Sequence, residues 1–175
     1  MRRVRPGYLV AFLVLAVVVI VPTFLRRPPV PAGPSVVVVD TDGRERTITR
    51  DEIDRLPELC RRGEYQNQYE NWRDEGVYCG PRLIDLLVEV SDYVSVVVVA
   101  ADGYRVEIER WRIEDEAYPL VLAHSFEGRS VPDWPDGYRI AVLPEDGSVS
   151  NADYGAVSAG SYWVKNVSRL LLQPE

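Results

Sequence analysis

An uncharged run near the N-terminus, Gly7 to Leu25, is the feature that most restricts how this chain can fold. Its 19 residues, GYLVAFLVLAVVVIVPTFL, are mostly aliphatic. At about 1.5 Å per residue, a helix of this length just spans a bilayer core of about 30 Å. The run is longer than the roughly 7–15 residues of a signal-peptide core, and no small-x-small cleavage site follows it. We predict a retained membrane anchor, with a cleaved signal peptide as the alternative.

Arginines flank this run, three before it and two after it. The excess on the N-terminal side favours an N-terminus inside the cytoplasm and a body outside it. Four prolines between residues 27 and 34 then predict an extended, semi-rigid spacer. The chain is thus divided into a basic N-terminus at 1–6, a transmembrane anchor at 7–25, a proline-rich linker at 26–34 and a folded domain at 35–175.

Charge is spread unevenly along the chain. The formal charge is −7, from 27 acidic and 20 basic residues, and the first 34 residues hold five arginines and no acid. The rest therefore carries 27 acids against 15 bases, or −12. A body this acidic repels phosphate backbones, which excludes nucleic acid as an expected partner.

The domain opens with clear local signals. A β-hairpin is predicted at the start of the domain. Its first strand is the aliphatic run at 35–40, its turn is Thr41-Asp42-Gly43 and its second strand is at 45–48. Thr49 and Glu52 then match a capping box for a short helix that Pro57 halts. Residues 60–80 are polar and aromatic without a clear period, and we expect a long irregular loop that holds the functional site.

Further elements follow in a mixed order. The spacing of leucines predicts a helix from Pro81 to about Val90. Strands are predicted from apolar runs, and Val96–Val99 is expected to be buried on both faces. The runs lie at 94–100, 104–108, 120–123, 138–143 and 162–172. Together, the predicted helices and strands indicate an α+β domain with more strand than helix.

Several kinds of chemistry are disfavoured. Neither a phosphate loop nor a GxGxxG motif is present, which argues against P-loop and Rossmann enzymes. His124 is the sole histidine and lies in an apolar strand pattern, where a packed core residue is expected. One histidine and two cysteines cannot complete the usual zinc site without a carboxylate. Cys60 and Cys79 could be paired or free, and a disulfide would contribute about 3 kcal/mol in the chain-entropy model.

Five segments in order resemble the molybdopterin-binding domain of the sulfite oxidase type, over most of residues 35–175. The resemblance implies that family's fold, with mostly β mixed sheets and a few short helices. The segments are the helix entry GPRLIDLL at 80–87, AADGY at 100–104, PLVLA at 119–123 with Gly128 and Pro132 downstream, RIAVLP at 139–144 and YWVKNV at 162–167.

The resemblance also places a candidate metal position. Catalytic members of the family hold molybdenum through a cysteine about twelve residues before the glycine of the helix entry, and counting back from Gly80 reaches Gln68. Trp72 supports this register, since a tryptophan commonly follows the family's cysteine by four. Neither Cys60 nor Cys79 falls there. An amide is a poor substitute for a thiolate, so we expect no metal ligand and no catalytic residue.

Family members bind the pterin through polar groups near the end of the chain and in the site loop. The resemblance therefore implies cofactor-binding roles for Gln68, Trp72, Arg73, Ser161, Tyr162 and Lys165, and molybdopterin without a cysteine-bound molybdenum as the cofactor, if there is one. The polar and aromatic residues of 64–72 would also suit an uncharged ligand or a partner protein.

The leading hypothesis is a membrane-anchored extracytoplasmic domain of this fold that is a non-catalytic binding or interaction module. Its partners would be the membrane, through the N-terminal helix, and a membrane protein. The alternative is a molybdopterin-dependent oxidoreductase that works with a membrane or haem electron-transfer partner. The sequence leaves the ligand, the partner subunit and the oligomeric state open.

Overall fold

The computed structural model describes residues 34–90 and 92–175, so the basic N-terminus, the anchor and the linker up to residue 33 lie outside the described residues. Within the described residues, no helix is both long enough and apolar enough to cross a membrane. The elements, in chain order, are β1 (Ser35–Val39), β2 (Glu45–Thr49), α1 (Arg50–Ile53), β3 (Glu58–Gln66), β4 (Trp72–Pro81), α2 (Leu83–Leu86), β5 (Ser95–Ala100), β6 (Arg105–Glu109), α3 (Arg110–Ile113), β7 (Leu120–Ala123), β8 (Ser125–Phe126), β9 (Arg129–Ser130), β10 (Arg139–Val142), β11 (Ser148–Val149), a 3₁₀ helix (Ala159–Tyr162) and β12 (Val167–Gln173).

The described strands form two five-stranded sheets and one strand pair. The terminal sheet has the order β2-β1-β12-β5-β6, the hairpin sheet has the order β11-β3-β4-β8-β9, and β7 pairs with β10. β1 runs parallel to β12 and β11 runs parallel to β3, whereas the other ladders are antiparallel. The mostly β architecture with mixed sheets and few short helices confirms the predicted fold class at this coarse level.

The opening hairpin and the capping box are confirmed. β1 and β2 pair over five residues each. Thr49 accepts from the backbone of Glu52, and the Glu52 side chain accepts from the backbone of Thr49. These features depend on residues close together in sequence, which is why the pattern alone predicts them.

The prediction of an irregular loop at 60–80 is wrong. These residues form most of β3 and β4, which pair from Glu58↔Pro81 to Gln66↔Trp72. One face of the hairpin is exposed and carries charged side chains, so the strands lack the apolar run that marked the others. The buried face holds Gly63, Gly76, Tyr78 and Gly80 instead of aliphatic residues, so the side-chain pattern does not reveal the strands that the backbone ladder forms.

Three smaller predictions need correction. The helix expected to reach Val90 is the single turn α2, because Leu87 already leaves helical geometry. The last strand begins at Val167 instead of Tyr162, since the 3₁₀ helix occupies the preceding segment. Val96, Val98 and Val99 are buried as predicted, and Val97 is the one residue of this run that is half-buried.

The core lies between the sheets and the β7–β10 pair. Its members include Tyr78, Leu122, Ile140 and Leu170, each fully buried. A Cβ on Gly80 would lie 2.1 Å from the carbonyl oxygen of Leu122. Only glycine therefore allows β4 to approach β7 this closely.

Candidate functional site

A β-bulge on β4 places Asp74 at the centre of the candidate site. The β3–β4 register shifts so that Asp74 and Glu75 lie opposite Glu64 alone. Asp74 has φ of 54°, in the left-handed region that non-glycine residues visit seldom, with aspartate among the more tolerant. Bulges of this kind redirect a side chain away from the regular pleat.

Four charged side chains form a closed cluster around Asp74, hereafter the charge cluster: Asp74, Asp136, Arg139 and Lys165. Oδ2 of Asp74 lies 2.5 Å from Nη2 of Arg139 and 3.3 Å from Nζ of Lys165. Oδ2 of Asp136 lies 3.1 Å from Nη1 of Arg139 and 3.0 Å from Nζ of Lys165. Each carboxylate therefore bridges both cations, and the cluster has no net charge.

Aromatic rings surround the buried member of the cluster. The Arg139 side chain is 2% exposed, and its guanidinium carbon lies 5.9 Å, 5.5 Å and 5.4 Å from the ring centres of Tyr65, Tyr78 and Trp163. Cation–π attraction of this kind strengthens when water is excluded. The rings and the two carboxylates together compensate for the burial of the guanidinium.

The acid–base properties of the site follow from this packing. Burial alone would raise the pKa of Asp74, but hydrogen bonds and charge from Arg139 and Lys165 outweigh it and hold the pKa below its usual value. Burial raises the pKa of Tyr65, and the nearby Asp74 carboxylate raises it further. Burial raises the pKa of Tyr78 as well, and its hydroxyl donates to the backbone carbonyl of Asp74 at 2.6 Å. Both phenols are therefore protonated at neutral pH, and Asp74 is ionised.

A cavity of about 440 Å³ opens beside the charge cluster. Its apolar wall contains Phe126 and Trp134, whose rings stack at a centroid distance of 5.8 Å. Three carboxylates and three cations line it, so the formal charges cancel. The lining residues are Asp74, Tyr78, Phe126, Glu127, Arg129, Trp134, Pro135, Asp136, Arg139 and Lys165.

Of the residues that the family resemblance selects, Lys165 lines this cavity. Gln68 is exposed in the turn between β3 and β4. Trp72 and Arg73 are exposed at the start of β4. The structure therefore groups these three at the hairpin end, outside the set of residues that line the cavity.

Ser161 and Tyr162 lie on the 3₁₀ helix. The Ser161 hydroxyl donates to the carbonyl of Ser158 at 2.7 Å. The Tyr162 ring packs edge-on against Tyr154, with a centroid distance of 5.0 Å. Both side chains thus contact neighbouring protein groups and do not line the cavity.

Sequence reasoning missed the residues that build the cavity. Asp136 lies three residues before Arg139, the first residue of β10, and that spacing of opposite charges was an available signal. Asp74 joins them from 65 residues away, and no local pattern indicates that contact. Trp134 and Phe126 carried no signal beyond aromatic character.

Cys60 and Cys79 form a disulfide. They are direct partners across β3 and β4. Among the described residues, the one group with potential metal-ligand atoms close together is Glu58 with these two cysteines. Both sulfur atoms are used in the disulfide.

His124 is buried, as the apolar pattern predicts. Its Nε2 lies 3.0 Å from Oε1 of Glu58. Burial lowers the pKa of His124, the charge of Arg50 lowers it further, and Glu58 and Asp54 oppose the shift. The net direction favours neutral imidazole near pH 7.

The residues present do not fit a cysteine-bound molybdenum. The described sequence offers no free thiolate, since both cysteines are paired, and Gln68 is exposed on the hairpin turn away from the cavity lining. The anion-binding groups Arg139 and Lys165 are already neutralised by two carboxylates. A phosphate would have to displace or repel those carboxylates.

No family model matches the chain, and no curated protein matches it. Among solved structures, the chain is similar to the sulfane dehydrogenase SoxCD from Paracoccus pantotrophus, with 14% identity and a TM-score of 0.60. The match covers 81% of this chain and 38% of that chain. At this identity the likeness shows the fold alone. It supports, at a coarse level, the sulfite oxidase-type fold that the resemblance implies.

Proposed function

We propose that this protein is a membrane-anchored extracytoplasmic domain of the molybdopterin-binding fold that works as a non-catalytic binding module. The cavity beside the charge cluster is its binding site. The ligand is a small, flat molecule without net charge that packs against the Phe126 and Trp134 rings.

The observation that carries this proposal is the closed pairing of the charge cluster. Asp74 and Asp136 each bridge Arg139 and Lys165, so two of the three cations that line the cavity are neutralised within the cluster. Three carboxylates balance three cations around the whole cavity. A ligand of strong net charge of either sign would face groups of like charge at short range.

Cavity shape and chemistry support a ligand with both apolar and polar edges. Ligand sites are mostly apolar with a few placed polar groups, and this cavity combines the Tyr78, Phe126 and Trp134 rings with its charged rim.

Three features support the proposed location. The uncharged run at 7–25 has the length of a membrane span. The Cys60–Cys79 disulfide suits an oxidising compartment, where cysteine pairs persist. The excess of arginines before the run agrees with a domain outside the cytoplasm.

The test is native mass spectrometry of protein purified from its own membrane. We expect a bound small molecule on the wild-type chain that is lost on Trp134→Ala, which removes one wall of the cavity. The matched control is Trp111→Ala, since Trp111 is exposed and does not line the cavity. Absence of any ligand, or equal loss from both variants, would contradict the proposal.

The alternative function is a molybdopterin-dependent oxidoreductase of the sulfite oxidase type with a separate electron-transfer partner. The structural likeness to a sulfane dehydrogenase favours it at the level of fold alone. Metal and pterin analysis of the same native preparation separates the two. Molybdenum and pterin near one equivalent each would favour the enzyme, whereas a different bound molecule favours the binding module.

A further inference from the structure

We propose that the Cys60–Cys79 disulfide is a thiol–disulfide exchange site, reduced by a protein dithiol that attacks the sulfur of Cys60, the more exposed cysteine. Glu58 keeps the reduced sulfurs protonated. This site lies on the outer face of the β3–β4 hairpin and is separate from the cavity.

The hairpin holds the two cysteines together whether or not they are bonded. Cys60 and Cys79 are direct register partners with Cα atoms 4.2 Å apart. The neighbouring pairs Leu59↔Gly80 and Arg61↔Tyr78 continue the ladder on both sides. Breaking the sulfur–sulfur bond therefore leaves the strands paired, so reduction and reoxidation can proceed without unfolding.

Exposure distinguishes the two cysteines. Cys60 is exposed, whereas Cys79 is half-buried beside Ser125 of β8. Exchange requires an attacking thiolate to approach one sulfur while the other leaves, and access decides which is attacked. Cys60 is therefore the attacked residue and Cys79 the leaving one.

Glu58 is an acidic group next to the disulfide. One of its carboxylate oxygens and the two sulfur atoms lie within 4.8 Å of one another. A negative charge at this distance disfavours a thiolate and favours the thiol. His124, which contacts Glu58, is neutral near pH 7 because burial lowers its pKa, so it does not cancel that charge.

The exchange balances as a two-electron transfer. A thiolate of the partner dithiol bonds to Sγ of Cys60, the Cys60–Cys79 bond breaks, and Cys79 leaves as a thiolate and takes a proton. The partner's second thiol then attacks the partner's own sulfur in the mixed disulfide. Cys60 leaves as a thiolate and takes the second proton, so the dithiol is oxidised to a disulfide and this protein gains two thiols.

The first test uses the full-length chain and a protein dithiol of the CxxC type. We expect reduction of both cysteines, seen as a mass increase after alkylation, with the β-sheet circular dichroism retained and with return to the disulfide on removal of the reductant. Reduction that occurs only in denaturant, or that abolishes the sheet signal, would overturn the proposal.

The second test measures which of the two sulfurs a CxxC protein can reach, because capture of the free cysteine gives the same mixed disulfide as the proposed exchange. The CxxC protein is used with its second cysteine replaced by serine and its first activated as a mixed disulfide with a small aromatic thiol. Cys79→Ser leaves Cys60 available, and Cys60→Ser is the matched control that leaves Cys79. We expect the captured complex to form at least tenfold faster with Cys79→Ser. Equal rates, or faster capture with Cys60→Ser, would overturn the assignment, and the wild-type reduction above remains decisive if either variant fails to fold.

The third test concerns Glu58. Glu58→Gln should increase the rate at which the reduced pair is alkylated at neutral pH by several-fold, because more thiolate is present. Glu116→Gln is the control, because Glu116 is an exposed carboxylate that is not in the group formed by Glu58 and the two cysteines. This change should leave the alkylation rate unchanged. An unchanged rate in Glu58→Gln would contradict its proposed role.

Discussion

Asp74 on β4 and Arg139 on β10 lie 65 residues apart in sequence, yet Oδ2 of the first and Nη2 of the second are 2.5 Å apart. This contact connects the bulge of the hairpin sheet to the β7–β10 pair. The contact also holds Arg139 in place, and Arg139 is the one fully buried arginine among the described residues that line the cavity. The pair therefore has a structural role and shapes the proposed binding site.

Replacing Asp74 should destabilise the domain in a pH-dependent way. Asp74→Asn keeps the shape but removes the charge opposite Arg139, and we expect a loss of about 1.5–3 kcal/mol at pH 7, the range for hydrogen bonds to charged groups. The pKa of Asp74 is lowered in the folded state, so its contribution is complete above the ordinary aspartate pKa and is lost as the pH falls through the folded value. Urea unfolding followed by tryptophan fluorescence measures the difference, which should shrink below about pH 4. A difference that is constant with pH would contradict this account.

Gly80→Ala should be among the most damaging single-methyl changes in the domain. Its Cβ would meet backbone atoms of Leu122 and Ala123, which cannot rotate away. We expect a loss of about 3 kcal/mol or more, at the upper end of overpacking costs. Gly155→Ala is the control, because a Cβ added at Gly155 would have no contact within 4 Å. Its cost should be only the strain of the positive φ of 62°, about 1 kcal/mol. Similar losses of unfolding free energy for the two variants would argue against a close approach of β4 to β7.

His124 should make the domain less stable at mildly acidic pH. Its pKa is lowered in the folded state by burial, so the unfolded chain binds a proton more readily. Stability should therefore fall as the pH drops below the ordinary histidine pKa of about 6.5 and level off below the folded value. Thermal melting of the wild-type chain and His124→Asn across pH 5 to 8 tests this, and the slope in that window should be reduced in the variant. An identical slope in both would show that other groups control it.

Native protein should contain no stoichiometric molybdenum. Both cysteines are paired and Gln68 is exposed at the hairpin turn, so no thiolate is available to the cavity. Gln68→Cys should also fail to bind the metal, because the new thiol would lie outside the cavity lining. Elemental analysis after expression in a host that makes the cofactor is the measurement. Molybdenum near one equivalent in either protein would refute the expectation.

The full-length protein should fractionate with membranes. The uncharged run at 7–25 is long enough to span a bilayer and has no internal charge that would make insertion costly. Carbonate extraction followed by detection of the intact chain is the measurement, and replacing Leu13 and Val17 by arginine is the control that should release it. Recovery of the unprocessed wild-type chain in the soluble fraction would contradict the anchor.

The sequence by itself determined the features that depend on neighbours in the chain. The aliphatic runs of β1, β5 and β7, the Thr49 capping box and the turn at Asp42-Gly43 all follow from local propensity. The family resemblance added the coarse fold and selected Lys165 as a cofactor-binding residue, and the structure shows that Lys165 lines the cavity. Burial of His124 followed from its apolar surroundings.

Only the tertiary structure decided the hairpin at 58–81 and the cavity. The β3–β4 ladder pairs Cys60 with Cys79, which are 19 residues apart. The polar side chains on the exposed face of the hairpin do not give the apolar pattern from which strands are predicted. The bulge at Asp74 depends on a register that two strands set together. The ion pair between Asp74 and Arg139 depends on how two distant segments pack, and the order of residues along the chain does not show which distant segments meet.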